Sequence, residues 1–521
     1  MDNIIQQSLD AMPHRHGSSQ QDGYSETPDL NLVALLRQRA LTTPDKCAYV
    51  FLADGASSEE SINYGQLDAQ ARAVAAQLQM LEKAGERALL LYPAGLDYIV
   101  AFLGCLYSGV IAVPAYPPSR HHTSRLKAII HDASPSIILT TKDLCEKLQE
   151  NHEKSWNCDE LMWLATDNLK SSSADSWAPP ALELDSLAFL QYTSGSTGDP
   201  KGVMVSHGNL MANQKIIKKA FNHTQETVVA GWLPLYHDMG LIGNVLQPLY
   251  LGATAVLMAP LGFLEQPVRW LEAISKFRAS TSGGPNFAYE LCIRKITPEQ
   301  KRELDLSCWT LAFNGSEPVR AKTLAQFYNA FAECGFRQES FFPCYGLAES
   351  TLFVTGQRLS DRSKLQCAQF ADDNQLATQH YSQNQISCGH AWDDHAICVV
   401  NPETLMLCSD GEEGEIWTTG PSVAKGYWNR PEVTNNLFLA SLKKPELPNN
   451  AIDDVISQEY FNYSNHQFLR TGDLGIIEQG NLFVTGRIKD LIILRGRNYY
   501  PQDLEQAVNE GVVGIRSHCC A

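Results

Sequence analysis

The chain has 521 residues, 44% of them hydrophobic and 19% charged, with a formal net charge of −17. That length allows a large core and more than one domain, and the composition is that of a globular protein, not a disordered one. The acidic balance argues against nucleic acid and against docking on anionic lipid. Fourteen cysteines without a C-x-x-C pair or paired metal spacing read as reduced thiols of a cytoplasmic protein.

Residues 1–28 are polar and read as a loose N-terminal arm without the apolar core of a secretory signal. His14, His16, His121 and His122 read as solvated loop histidines. Helical spacing runs from Leu30 to Arg39, and Leu67 to Leu81 continues as an Ala-rich helix after a strand near Ser61. Short apolar runs then alternate with helical ones. Ala88–Tyr92, Val110–Pro114 and Ile137–Thr140 read as strands, and Asp97–Ser108 and Arg125–Ile130 as helices. This alternation predicts an α/β fold with a doubly wound, mostly parallel sheet. Two uncharged stretches, 98–119 and 243–264, are broken by Gly and Pro. They read as buried strand-and-helix segments, so no stable membrane insertion is expected.

The most informative stretch is Tyr192-Thr193-Ser194-Gly195-Ser196-Thr197-Gly198-Asp199-Pro200-Lys201-Gly202. It follows the strand-like run Leu187–Gln191 and precedes an amphipathic run starting near His207, an order that reads as strand, loop, helix. On the residues alone, a Ser/Gly-rich surface turn and an anion-binding loop both fit. Glycines let backbone N–H groups turn toward an anion, hydroxyls add donors, and Lys201 adds charge, which favours the second. The spacing is not that of a P-loop, since Pro200 stands five residues after Gly195.

Further polar clusters follow strand-like runs, where the ligands of doubly wound sheets gather. They are Tyr236-His237-Asp238-Met239-Gly240 after Val228–Leu233, Asn314-Gly315-Ser316 after Leu306–Phe313, and Tyr345-Gly346-Leu347-Ala348-Glu349 after Phe341–Cys344. Glu349 fits a Mg²⁺ ligand or a helix-start carboxylate. Asp473, in Thr471-Gly472-Asp473, fits a ribose acceptor or a simple turn. His237 fits a substrate contact or a packed histidine. Residues 357–385 form a polar segment rich in Gln, Asp and Ser. Residues 388–486 are dominated by short β-like runs, and residues 443–454 read as a surface loop. A Ser-His-Asp hydrolase is excluded by the absence of a G-x-S-x-G elbow.

The hydroxyl loop and the four further motifs, in this order, resemble the adenylate-forming enzymes. Trp232–Gly243, Asn314–Pro318 and Gly496–Glu505 are similar to the fatty acyl-AMP ligase branch in particular. The resemblance covers roughly Leu30 to Glu510. It implies an AMP-binding core over residues 29–486, with a polar insertion near 357–385 and a β-rich subdomain over 388–486. It implies phosphate contacts from Thr193, Ser194, Gly195, Ser196, Thr197, Gly198 and Lys201. Asn314, Gly315 and Ser316 would lie on the adenine side, with Tyr345 and Gly346 beside the nucleotide. Glu349 would hold Mg²⁺, and Asp473 and Arg487 the ribose or phosphate. His237, Met239, Gly240, Ser282, Gly283 and Gly284 would line the acyl channel, with Lys201, Glu349 and His237 as the catalytic set. Lys489 matches the hinge of a small C-terminal domain, which residues 487–521 would only begin, so that domain's lysine has no position here.

The reaction implied joins a fatty acid to ATP as acyl adenylate, with release of pyrophosphate, and passes the acyl group to the phosphopantetheine arm of an acyl carrier protein. An acyl-CoA ligase, and a nucleotide- and acyl-binding remnant without its lid, are the alternatives.

Overall fold

Runs that are apolar on both faces suit parallel strands covered by helices on either side. The computed structural model describes residues 30–55, 58–117, 123–150, 161–169, 171–193, 200–358, 386–443, 466–490, 492–494 and 497–499. The N-terminal arm, the loop residues Ser194 to Gly198, most of the polar segment 357–385 and all but Lys443 of the expected loop 443–454 lie outside them.

Strands β1 (Cys47–Leu52) and β2 (Glu59–Asn63) open the chain and pair antiparallel. Next come β3 (Arg87–Leu91), β4 (Ile111–Ala115), β5 (Ile137–Thr140), β6 (Met162–Ala165), β7 (Leu187–Thr193) and β8 (Lys201–Ser206). These six form one sheet in the order β6-β5-β3-β4-β7-β8, parallel except for the β7–β8 pair.

A second sheet takes up β9 (Val228–Gly231), β10 (Thr254–Met258), β11 (Thr281–Gly283), β12 (Leu311–Asn314), β13 (Phe341–Gly346), β14 (Phe353–Gly356) and β15 (His390–Ala391). Its order is β15-β14-β13-β12-β11-β9-β10-β1-β2, parallel from β13 to β1 and antiparallel at both edges. A third sheet is antiparallel: β16 (Ala396–Val400), β17 (Glu413–Thr419), β18 (Leu469–Glu478) and β19 (Asn481–Arg487). A hairpin of β20 (Ile492–Leu494) and β21 (Arg497–Tyr499) follows. Doubly wound sheets plus an antiparallel sheet thus make up the described fold, the first as the alternation predicts and the second as the short β-like runs of residues 388–486 predict.

Two readings change. The hydroxyl loop does not lead directly into a helix, because Lys201–Ser206 returns as β8 against β7, in register Thr193 with Lys201. Periodicity missed this strand because a six-residue run carries little of it. The strand before Asn314 begins only at Leu311; Leu306 and Trp309 are buried in a turn.

The helices carry their own start signals. Helices α1 (Leu32–Thr42) and α2 (Tyr64–Met80) open with Asn31 and Asn63 accepting from the first turn, and Gln66 completes a capping box on α2. Helix α3 (Leu96–Ser108) stops at Gly109, which takes the left-handed conformation at φ 71°. Helix α4 (Thr123–Ala133) covers the first sheet. Helix α5 (His207–Phe221) starts with a Ser206/Asn209 capping box. Among the described residues, no helix is long and apolar enough to cross a membrane.

Between α2 and α3 the buried carboxylate of Asp68 accepts from Arg37 at 2.5 Å, Arg72 at 2.9 Å and Tyr107 at 2.9 Å. Three donors offset the cost of burying that charge. The helices approach closely because position 104 is glycine; a Cβ there would sit 2.5 Å from Val74 Cγ1. Gly104→Val should therefore force the pair apart, costing about 1–3 kcal/mol. Denaturant unfolding should show an earlier midpoint, and an unchanged one would mean the interface can shift freely.

Candidate active site

A cavity of about 690 Å³ collects residues from all three sheets. Ala115 at the end of β4, Thr193 at the end of β7 and Tyr345 and Gly346 at the end of β13 face it, as do Asp473 of β18 and Arg487 of β19. Parallel strands all point the same way, so the loops after them meet at one edge.

The polar part is built around Glu349. Its Oε1 accepts from the Tyr427 hydroxyl at 2.7 Å, and its backbone carbonyl accepts from Ala424 N at 2.9 Å. Burial raises its pKa and the Tyr427 bond opposes that, while Asp238 and Asp473 push it up further. The Lys201 ammonium lies 4.9 Å from the centre of the Tyr427 ring, a cation–π distance. Burial lowers the Lys201 pKa, Lys489 and Arg430 act the same way, and Glu349 opposes them.

Tyr427 was not legible in the sequence. It arrives because segment 425–428 pairs along the free edge of β8. Met204 N donates to Gly426 O at 2.9 Å, Lys425 N to Met204 O at 2.9 Å, and Trp428 N to Gly202 O at 2.7 Å. The only local sign is Gly426, whose φ of 120° suits glycine.

Asp473 is held from two sides. Its Oδ2 accepts from Tyr345 at 2.8 Å and its Oδ1 from Arg487 Nε at 3.0 Å. Burial raises its pKa; Arg487 and Tyr345 restrain the rise. Behind this loop, buried Glu415 accepts from Arg470 Nε at 2.9 Å, Trp417 Nε1 at 3.0 Å and Gly472 N at 3.1 Å. Lys489 lies in the turn after β19, where Ile488 N donates to Gly472 O at 3.0 Å.

His237 and Met239 reach the cavity from the loop after β9. His237 Nδ1 lies 2.5 Å from Asp238 Oδ1, and this bond raises its pKa against the effect of burial. Asp238 also accepts from Met239 N at 2.7 Å and so opens a π-helix, Met239–Leu246. Such wide turns are frequent at functional sites. Gly240 does not line the cavity. A Cβ there would meet Pro234 O at 2.0 Å, so its glycine serves the turn.

The apolar part is lined by Ile217, Phe221, Phe313, Leu352 and Phe353. Buried His223 borders it, bonded to Thr281 at 3.0 Å, and burial pulls its pKa down to about 3. Gly315 and Ser316 line the cavity, and Ser316 holds a left-handed φ of 76°. Asn314 does not line it, although it is fully buried and neither amide atom has a partner among the described residues. Ser282, Gly283 and Gly284 do not line it either. Ser282 bonds Trp270 and Ala230 inside the core. A Cβ at Gly283 or Gly284 would strike Phe313 O at 2.1 Å or the Trp232 ring at 2.8 Å. Their small size serves packing of the protein on itself.

The loop carrying Glu349 stores strain. Thr351 has φ 70° and ψ −63°, the γ-turn that β-branched residues seldom adopt, and Leu352 N closes it on Ser350 O at 2.8 Å. Thr351 Oγ1 donates to Ser422 O at 2.6 Å, and buried Asn213 bonds Ser350 O at 3.3 Å and Phe353 O at 2.9 Å. These bonds hold the turn in place.

A model of the AMP-binding enzyme family matches residues 36–428, and the chain belongs to that family. Within it, the similarity lies with ligases of fatty acids. The chain is 40% identical over 499 residues to a medium-chain-fatty-acid–acyl-carrier-protein ligase of Moorena producens, covering 93% of this chain and 81% of that one. A ligase of the same description from Teredinibacter turnerae is 35% identical over 540 residues, covering 95% and 82%. The crystal structure of a fatty acyl-adenylate ligase from L. pneumophila, in complex with acyl adenylate and pyrophosphate, aligns with a TM-score of 0.77. It is 41% identical and covers 92% of this chain and 81% of that one.

Removing the Thr351 hydroxyl tests the strained turn. Thr351→Val keeps the branch but leaves Ser422 O without its donor, which should cost about 1–3 kcal/mol. Nucleotide affinity should fall with it, while Thr351→Ser should retain both properties. Unfolding and titration calorimetry on the two variants would show this, and a Val variant equal to the parent would remove the turn from the account.

Proposed function

We propose that the chain condenses a fatty acid with ATP to acyl adenylate, releasing pyrophosphate, and that the acyl group passes to the phosphopantetheine arm of an acyl carrier protein. The observation that carries this reading is a single cavity with a charged part and an apolar part, where Lys201, His237 and Glu349 face the same space. The ligases of fatty acids among the relatives support it.

The carboxylate of the acid attacks the α-phosphorus of ATP in line, so no protein nucleophile is needed. The task of the protein is to hold two anions together against their repulsion. Lys201 contributes charge at the mouth of the β7–β8 hairpin, and the hydroxyls of residues 193–197 would add donors. Asp473 accepts from the ribose hydroxyls, aided by Arg487. Tyr345 stands beside the nucleotide, with Gly315 and Ser316 along the adenine. His237, held by Asp238, faces the reacting carboxylate, and the phenylalanine-lined part takes the alkyl chain. Lys489 serves as the hinge.

Among the described residues, no group of three or more His, Cys, Asp or Glu is placed to hold a metal ion. A cavity carboxylate such as that of Glu349 fits Mg²⁺, which binds through one or two carboxylates plus substrate phosphates. Glu349 would hold it, and the ion when bound supplies charge neutralisation on the phosphates. The cysteines assigned among the described residues are all free thiols, which supports a reducing, cytoplasmic setting.

Glu349→Gln should weaken MgATP binding about tenfold or more, because the hydrogen-bonding shape remains while the charge is lost. Octanoate binding should be unchanged. Titration of both ligands into both proteins measures this, and equal MgATP affinities would reject the metal role. Mass spectrometry of products from fatty acid, MgATP, CoA and a phosphopantetheine-bearing carrier should find acyl-AMP and acyl-carrier. Predominant acyl-CoA would instead assign the chain to CoA ligation.

A further inference from the structure

The cavity wall near His237 carries a cation that the described residues do not neutralise. Arg125, in the first turn of α4, is half-buried and lines the cavity. Its Nε is buried without a hydrogen-bond partner. Asp238, in the same cavity, and Asp132, on the same helix, are engaged elsewhere. Asp238 bonds His237 and Met239. Asp132, on the same helix, accepts from Tyr192 at 2.7 Å and pairs with Arg430 at 3.0 Å. What faces Arg125 instead is two tyrosines and a histidine. Tyr116 and Tyr236 pack edge to face at 5.6 Å; burial raises the pKa of both phenols and the bond to Asp238 raises that of His237, and the positive charge of Arg125 opposes all three rises.

A guanidinium is always charged and presents five N–H donors in a planar fork. Partly desolvating that fork without a carboxylate costs stability unless something else meets it. The aromatic surroundings offer it no acidic partner, yet it stands on the wall of the chamber where anions must be gathered. A guanidinium fork matches a planar two-oxygen group, for which arginine is the preferred donor.

We propose that Arg125 is an oxyanion-binding residue of this cavity, its ligand being the carboxylate of the fatty acid or a phosphate of the phosphopantetheine arm. The inference rests on the acyl-activating function proposed above. Its place beside His237 favours the carboxylate. Bound there, the acid is held by its head group beside His237, while the nucleotide is held around Lys201 and Asp473 in the same cavity. This separates two jobs that charge alone would confuse, because Lys201 meets phosphate and Arg125 meets the second anion.

The experiment is titration calorimetry on the full chain, with Arg125→Gln and Arg125→Lys. The probes are octanoate against octanol, 4′-phosphopantetheine against pantetheine, and MgATP as a control. Loss of one charge-assisted pair should weaken the anionic probe about 10- to 100-fold in the Gln variant, and less in the Lys variant. Octanol, pantetheine and MgATP should bind as they do to the parent. The unfolding midpoint should stay or rise, since a structural arginine would lower it on removal. Weakened octanoate assigns the carboxylate; weakened phosphopantetheine with octanoate unchanged assigns the phosphate. A Gln variant that binds both anions like the parent overturns the inference and leaves the proposed function standing. A parent that binds neither octanoate nor MgATP fails the proposed function itself, and the inference falls with it.

Discussion

Three backbone hydrogen bonds between β8 and segment 425–428 hold the charged part of the site together. An exposed strand edge offers unpaired N–H and C=O groups, which another strand satisfies readily. Here the strand that satisfies them comes from more than two hundred residues downstream. Pairing fixes the register, so Tyr427 is delivered between Lys201 and Glu349 and nowhere else. The next residue back, Ala424, bonds the carbonyl of Glu349, which ties the first sheet to the end of β13. The γ-turn at Thr351 is held from the same downstream stretch through Ser422.

Around that scaffold the charges are arranged in opposition. Burial raises the pKa of Glu349 and of Asp473; Asp238 and Asp473 add to the rise at Glu349, and Asp490 to that at Asp473. Lys201 is pushed toward neutrality by burial and by Lys489. Neither set is at rest alone. A ligand with both phosphates and hydroxyls, together with a divalent cation, would relieve both sets, since each buried charge gains most from a partner in a low-dielectric site. Phosphate chemistry of this kind needs such preorganised charge more than it needs a nucleophile.

Much of the site was readable because its residues lie in short polar clusters directly after apolar runs. Parallel strands force those clusters to one edge, so Thr193, His237, Gly315, Tyr345 and Glu349 meet for a reason that chain order already contains. The family followed from the same motifs. Where the reading missed, the residue types were right and the neighbours were wrong. Ser282, Gly283 and Gly284 suggest a ligand-facing loop, yet they accommodate Phe313 and Trp232. Gly240 relieves a clash with Pro234. A glycine in sequence says that something comes close, but not whether that is substrate or protein.

What the sequence determined by itself was local: the strand–helix alternation, the capping boxes of α2 and α5, the motif order, and with it the class of chemistry. Those depend on spacing along the chain and on side-chain type. What only the tertiary structure decided was long-range pairing. It turned Lys201–Ser206 into a strand, placed Tyr427 against Glu349 and left Arg125 facing the cavity without an acidic partner among the described residues. The physical reason is that a hydrogen-bonded edge or an ion pair draws its two halves from distant segments. No local pattern in either half records which partner the other will be.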